Sequence, residues 1–223
     1  LTGAPGQASA PAPFFLASPG CLWSDWTETL PEPAMTSLAL RRATPEDADF
    51  VLDMSEIAGH GFLPHYFRQS LPEGEDLRAY MLRRVCDRDS KMSYAKCWIA
   101  ELDGNAVGMV NLDAIPDPAP APNPDLPAMF QPLAELEASA PGTAVIEFLA
   151  TLPAARGRGV GRALLDKAHE QRGPKGLALV VSDNNTAARG LYRSAGFKEI
   201  DRRAIVTQGW QTTGTEWILM TKA

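Results

Sequence analysis

Cysteine is scarce in this 223-residue chain: Cys21, Cys86 and Cys97 are its three, far apart and without a CxxC pair. An odd, scattered set argues against a disulfide framework and against a thiolate zinc site, so no metal is expected and the reducing cytoplasm is the expected compartment. Excess positive charge is missing as well. There are 21 Lys and Arg against 27 Asp and Glu, a net charge of -6. Residues 1–34 hold three of the acids (Asp25, Glu28, Glu32) and no Lys or Arg, so the remainder stands at 21 − 24 = −3. Without a basic face, nucleic acid is not an expected partner. No apolar run reaches membrane-spanning length, so no membrane partner is expected either. The stretch "FFLAS" is short and follows no basic residue, which argues against a signal peptide.

What is present is an ordinary globular composition, 45% hydrophobic and 22% charged, in a chain long enough for one good core. Residues 1–34, rich in Ala, Pro, Gly and Ser, read as a disordered extension. One domain is expected over 35–223. Leu38 to Arg42 reads as a strand. Thr44, Pro45, Glu46 and Asp47 then supply the cap, first-turn proline and early acids of a helix with Ala48, Val51, Leu52 and Ile57 on its apolar face. "GHGFLPHYFRQSLPEG" reads as an aromatic loop before a second helix over 74–88. "YAKCWIAELDGNAVGMVNLD" reads as a hairpin turning at Asp103 and Gly104. Residues 113–142 form a proline-rich insertion. Pro116, Pro118, Pro120, Pro122 and Pro124 alternate there, which dictates extended chain, with a short helix expected around Pro132 to Ser139.

Two apolar runs, "TAVIEFLATL" and "LALVV", read as strands buried on both faces, each followed by a helix. "RRAIVTQ" and "TEWILMTK" read as a closing hairpin. The predicted order is β-α-α-β-β-β-α-β-α-β-β.

Between the first apolar run and its helix lies "ARGRGVGR". A strand, a glycine turn and a helix N-terminus together make an anion site, because the first-turn amides are unsatisfied and glycine removes the side chains that would cover them. Spacing excludes two familiar phosphate loops. A nucleotide P-loop needs Lys and then Ser or Thr after its last glycine, where this chain has Arg162 and Ala163. A dinucleotide fingerprint counted from Gly157 or Gly159 would place its third glycine at Arg162 or Leu164.

The pattern that fits is (Gln or Arg)-x-x-Gly-x-(Gly or Ala), carried by Arg156, Gly159 and Gly161. It resembles the pyrophosphate loop of the GNAT superfamily of N-acetyltransferases. "NTAARGLYRSAGF" is similar to that family's other signature through Asn185, Ala188, Leu191, Tyr192, Gly196 and Phe197. The resemblance covers residues 36–223 apart from the insertion. It implies an α/β (α+β) fold: a mixed, mostly antiparallel central sheet with splayed parallel strands, flanked by helices. It also implies acetyl-coenzyme A as the acetyl donor. Main-chain groups of Leu149, Ala150 and Thr151 would then pair with the pantetheine arm. Arg156, Gly157, Arg158, Gly159, Val160, Gly161 and Arg162 would take the pyrophosphate, and Asn185 would bind the pantetheine region or merely cap its helix. Tyr192 is the matched general acid, unless it is simply a core tyrosine.

The base is less determined. Glu147, the one acid inside "TAVIEFLATL", needs a function, a partner or a water to offset its burial. His60 and His65 are alternatives. The expected function is N-acetylation of a primary amine, of a small molecule if the insertion, the aromatic segment 62–67 and Trp210 roof the acceptor side. A protein N-terminus or lysine as acceptor, and a non-catalytic acyl-coenzyme A binding module, are the competing readings. The resemblance also leaves a homodimer open. Because residues 1–34 lack apolar periodicity and basic charge, their deletion is expected to change neither melting temperature nor activity. A loss of several degrees in a thermal melt would instead mean that Phe14, Phe15, Trp23 or Trp26 packs on the domain.

Overall fold

The computed structural model describes residues 37–223; the disorder expected over 1–34 lies outside them. Strand β1 (Leu38–Arg42) leads into a capping box in which Thr44 and Asp47 bond each other's backbone, with Pro45 in the first turn, and then into α1 (Ala48–Gly59). Val51, Leu52 and Met54 on α1 are wholly buried. Helix α1 stops where His60 and Gly61 take left-handed conformations (φ 48° and 80°).

The next segment corrects the predicted aromatic loop. It is a helix, α2 (Phe62–Ser70). Pro64 sits in its first turn, where a missing N–H costs nothing, and the His65 amide closes that turn on the Gly61 carbonyl at 3.1 Å. Helix α3 (Leu77–Cys86) follows, capped by Asp76, whose carboxylate accepts from the Ala79 amide at 2.9 Å.

Strands β2 (Cys97–Leu102) and β3 (Asn105–Ala114) form the predicted hairpin. Its turn residues Asp103 and Gly104 both have positive φ (53° and 77°), as a two-residue turn matched to strand twist requires. The insertion contains α4 (Gln131–Ala138). Then come β4 (Ala144–Thr151), α5 (Val160–Glu170), β5 (Leu177–Ser182), α6 (Thr186–Ser194), β6 (Lys198–Ala204) and β7 (Glu216–Lys222). Strand β6 therefore starts four residues before "RRAIVTQ". It is an edge strand whose residues alternate between exposed and half-buried, so it lacks the apolar signal that marks buried strands.

The seven strands make one sheet in the order β1-β2-β3-β4-β5-β7-β6. Every neighbouring pair is antiparallel except β4 and β5. This is the mixed, mostly antiparallel sheet expected. Alternate strand residues serve opposite faces. Ala100, Leu102 and Val110 pack with Leu164, Leu165 and Ala168 of α5 and Tyr192 of α6. Cys97, Ile99 and Met109 pack with Val51 and Leu52 of α1, Phe67 of α2 and Met81 of α3. Helix α4 closes a third cluster, with Leu136 against Val145, Ala178 and Leu219.

One glycine on β3 fixes where the glycine-rich turn sits. A Cβ on Gly108 would lie 2.9 Å from Val160 Cγ1, 3.1 Å from the Ala150 carbonyl and 3.2 Å from Leu164 Cδ1. The start of α5 thus rests directly on strand backbone. Gly108→Val is expected to lift that helix end and to cost about 1–3 kcal/mol, the usual range for overpacking. At this chain length that is a melting-temperature loss of several degrees, readable by calorimetry; an unchanged melting temperature would mean that α5 can shift freely.

Candidate functional site

Strands β4 and β5 pair over three positions only: Ala144 with Leu177, Val145 with Ala178 and Ile146 with Leu179. Beyond Ile146 the strands part, although β4 continues to Thr151 and β5 to Ser182. On its other side β4 remains bonded to β3, with Asn111 opposite Phe148 and Leu112 opposite Ile146. Glu147 has no opposite number. It is the extra residue of a β-bulge, a feature that bends a strand and re-aims a side chain.

Backbone direction past the bulge follows from one bond. The Leu152 amide donates to the Val107 carbonyl of β3 at 2.8 Å. Because strand amides alternate in direction, Ala150 also turns its main chain toward β3, and its carbonyl lies beside Gly108. Of the three residues expected to offer main-chain groups to a ligand, Leu149 and Thr151 face the gap and Ala150 does not.

The gap opens into a cleft of about 1460 Å³, larger than the ~300–1,000 Å³ typical of a single small-molecule pocket. Leu149, Ala150, Thr151, Arg156, Gly157, Gly159, Val160, Gly161, Arg162, Asn185, Tyr192 and Glu147 all line it. Arg158 lies on the same turn but is not part of the cleft wall. At the turn, Gly157 and Gly159 take positive φ (74° and 81°), and a Cβ on either would meet nothing within 4 Å. The first amide to bond back along α5 is that of Ala163, to the Gly159 carbonyl at 3.0 Å, and no side chain caps the helix. Among the described residues the amides of Val160, Gly161 and Arg162 are thus left for an anion, at the positive end of the helix dipole. Gly161 is small for another reason: its Cβ would lie 3.1 Å from Leu191 Cδ2 on α6.

Asn185 caps α6, its Oδ1 accepting from the Ala188 amide at 3.2 Å, while Nδ2 lies 3.4 Å from His60 Nε2. The helix cap is therefore real, and the amide group still has an edge in the cleft. His60 lines the cleft too. His65 does not; its Nε2 is 3.1 Å from the Gln208 carbonyl and 2.7 Å from Gln69 Nε2.

Tyr192 is both a core tyrosine and a cleft residue. Its ring packs on Phe197 at 5.9 Å, and among the described residues no hydrogen bond engages its hydroxyl. Burial pushes its pKa up to about 12, so the hydroxyl keeps its proton at neutral pH.

Glu147 has a partner that sequence reasoning did not find. Lys91 Nζ lies 2.8 Å from its Oε1 and 2.7 Å from Glu137 Oε2 on α4. The contact with Glu147 is a close ion pair that buries Oε1. Burial, and next the neighbouring Glu137 carboxylate, push the Glu147 pKa up to about 7 against the opposing pull of Lys91. Burial also disfavours the Lys91 charge, but the two carboxylates outweigh it and its pKa is raised. Lys91 follows α3 and Glu137 sits in the insertion, so no spacing rule could have joined them to Glu147.

Beyond this triad the cleft is roofed by aromatic rings. Phe62 meets Phe130 at 5.0 Å and Trp210 at 5.1 Å, Tyr66 meets Phe130 at 4.7 Å, and Trp210 stacks on Trp217 at 5.9 Å with 7° between planes. Trp210 Nε1 donates to the His60 carbonyl at 3.3 Å, and the Met129 amide donates to Gln208 Oε1 at 3.1 Å, tying insertion and closing hairpin to this roof. Among the described residues no His, Cys, Asp and Glu cluster could hold a metal ion, and no helix is long and apolar enough to cross a membrane.

Known proteins share this architecture. An N-acetyltransferase of Staphylococcus aureus superposes with a TM-score of 0.56 at 17% identity, over 82% of this chain and 100% of that one. A second crystal structure, described as an acetyltransferase, gives 0.56 at 20% identity over 82% and 98%. At these identities they establish the fold. An uncharacterized protein of Mycobacterium leprae is 43% identical over 58 residues, which is 26% of this chain and 16% of that relative's length. The sequence model of the acetyltransferase (GNAT) family matches residues 62–197, a span that takes in the cleft's main parts from Phe62 through the parted strands to Phe197. The chain belongs to the GNAT family of acetyltransferases.

Proposed function

We propose that the protein transfers the acetyl group of acetyl-coenzyme A to the primary amine of a small molecule. The observation that carries this reading is the edge of β4 that β5 leaves after Ile146, running into a helix N-terminus that no side chain caps among the described residues. An extended chain carrying amides fits the first, and a pyrophosphate fits the second. Leu149 and Thr151 would hold the pantetheine arm as a missing strand would. The glycine turn and the amides of Val160 to Arg162 would hold the pyrophosphate, with Arg156 and Arg162 alongside. The cofactor supplies a thioester-activated acetyl group.

The protein's own part is to position and to move protons. An alkylamine with a pKa near 10.4 enters as an ammonium and must lose a proton before it can attack. Glu147 would take that proton, directly or through a water, since burial poises it near neutrality. Tyr192 Oη, protonated at neutral pH, would give a proton to the departing sulfur. The aromatic roof over the far end favours a small acceptor over a folded protein.

Three measurements test this. Gly159→Val adds a β-branched side chain at φ 81° over the amides, and calorimetry should show acetyl-coenzyme A binding abolished; undiminished binding would refute the loop assignment. Tyr192→Phe should leave cofactor affinity nearly intact while lowering kcat by ~10²-fold or more. For Glu147 the sign follows from a raised pKa: the carboxylate is ionised only above about 7, so the wild-type rate should fall as pH drops through that value. Glu147→Gln should lower the rate mainly at neutral pH and recover partly at high pH, where the amine deprotonates unaided. A Gln variant with the wild-type profile would leave Glu147 a structural residue.

A further inference from the structure

The acceptor end of the cleft has a composition that restricts what can occupy it. Most of its wall is rings and aliphatic side chains, Phe62, Tyr66, Phe130 and Trp210 with Leu126 and Leu133 from the insertion, beside a few polar groups such as Ser90 and Gln211. The ring faces themselves offer no hydrogen bonds. Charge there is confined to one side. Glu137 and Glu147 share the single ammonium of Lys91, which leaves the group one negative charge in excess when all three are ionised. The other cation in the wall, Arg84, pairs with Asp87 at 3.5 Å. Glu147 Oε1 is taken up by Lys91 at 2.8 Å, but the side chain keeps 13% of its surface exposed in the cleft wall, so the carboxylate can still accept from a donor that a ligand brings.

From this arrangement we infer that the acceptor is a primary amine carried on an apolar, flat or aliphatic body with no carboxylate of its own, its ammonium drawn by the excess negative charge of the Glu137–Lys91–Glu147 group and its body in the aromatic chamber. The inference rests on the acetyl-transfer reading above and narrows it. A free amino acid would bring its carboxylate against two others, with Lys91 already engaged by both. A sugar amine or a peptide would bury hydroxyls or amides against ring faces that cannot satisfy them. A polyamine would bury a second ammonium among the same rings. An apolar amine meets none of these obstacles, and ring faces attract both its body and the methylenes beside its cationic head. Glu137, contributed by the insertion, is then a specificity-determining residue.

The test is thiol release from acetyl-coenzyme A by the full chain with 2-phenylethylamine, L-phenylalanine, spermidine, glucosamine and an unblocked tetrapeptide as acceptors. 2-Phenylethylamine should have the highest kcat/KM. L-Phenylalanine, which differs only by its carboxylate, should be poorer by ~10-fold or more, the least that like-charge juxtaposition costs. Glu137→Gln should raise KM for 2-phenylethylamine and narrow its lead over L-phenylalanine, whereas a purely structural loss would slow both equally. Phe130→Ala should raise KM for 2-phenylethylamine more than for glucosamine. If L-phenylalanine, glucosamine, spermidine or the peptide is used as well as 2-phenylethylamine, or if Glu137→Gln leaves the ratio unmoved, the inference is overturned and acetyl transfer stands. If no amine releases thiol although acetyl-coenzyme A binds, both fail together.

Discussion

The parting of β4 from β5 is the constraint around which the rest of the molecule is arranged. A strand edge inside a protein carries amides and carbonyls that must find partners, and here pairing stops after Ile146 while β4 runs on for five more residues. Something has to hold the strands together at one end and apart at the other. The closed end is bolted by Leu136 of α4, packed against Val145, Ala178 and Leu219. At the open end α5 follows β4 and α6 follows β5, and the two helices meet through the close approach of Leu191 to Gly161. That contact is why the third glycine of the turn is needed: a side chain there would strike Leu191. The bulge at Glu147 stands at the fork itself, so the strand changes neighbour and re-aims its one acidic side chain at the same residue.

How much of this the sequence discloses depends on whether the signal is local. The run "TAVIEFLATL", the glycine turn and the helix after it are contiguous, and their order alone places an anion site at a helix N-terminus. The same run also misleads. It reads as a strand buried on both faces, yet Glu147, Phe148 and Leu149 are only half-buried, because the far half of the strand faces a cleft instead of a neighbour. Helix α2 was obscured by its own punctuation: Gly61 and Pro64 are loop residues by habit, but one ends a helix and the other opens the next. Strand β6 is hidden because an edge strand with charges on its exposed side has no apolar period to read. Lys91 and Glu137 were beyond any local rule, since only the folded sheet brings the α3–β2 connection and the insertion to the bulge of β4.

Energetics separates the ways the two ends of the cleft hold charge. At the glycine turn the positive potential comes from backbone amides and the dipole of an eleven-residue helix, supplemented by Arg156 and by Arg162, which shares its charge with Asp166 at 3.0 Å. Backbone donors need no side-chain ordering and cannot titrate, so that end is insensitive to pH in the physiological range. At the far end the potential comes from titratable groups packed close enough to compete. Burial alone would neutralise both Glu147 and Lys91. Their proximity opposes this for both, and it prevails for Lys91, which lies between two carboxylates. Glu147 has one cation to share with Glu137, so desolvation wins and its pKa rises.

The cleft is consequently polar along its length, positive where α5 begins and negative where α4 meets β4. Fields of this kind persist in a partly desolvated groove, where salt screens them less than at an open surface. A polyanionic donor entering with its phosphates toward α4 would meet Glu137 and Glu147, and a cationic acceptor entering at the glycine turn would meet Arg156 and Arg162. Each wrong orientation is repelled by the charges that welcome the right one, so discrimination needs no separate device. The insertion contributes twice to the far end, with Glu137 on Lys91 and Phe130 in the ring cluster. A segment that looks like decoration in the sequence therefore completes the negative pole, and the polarity of the cleft exists only once it is folded onto the sheet.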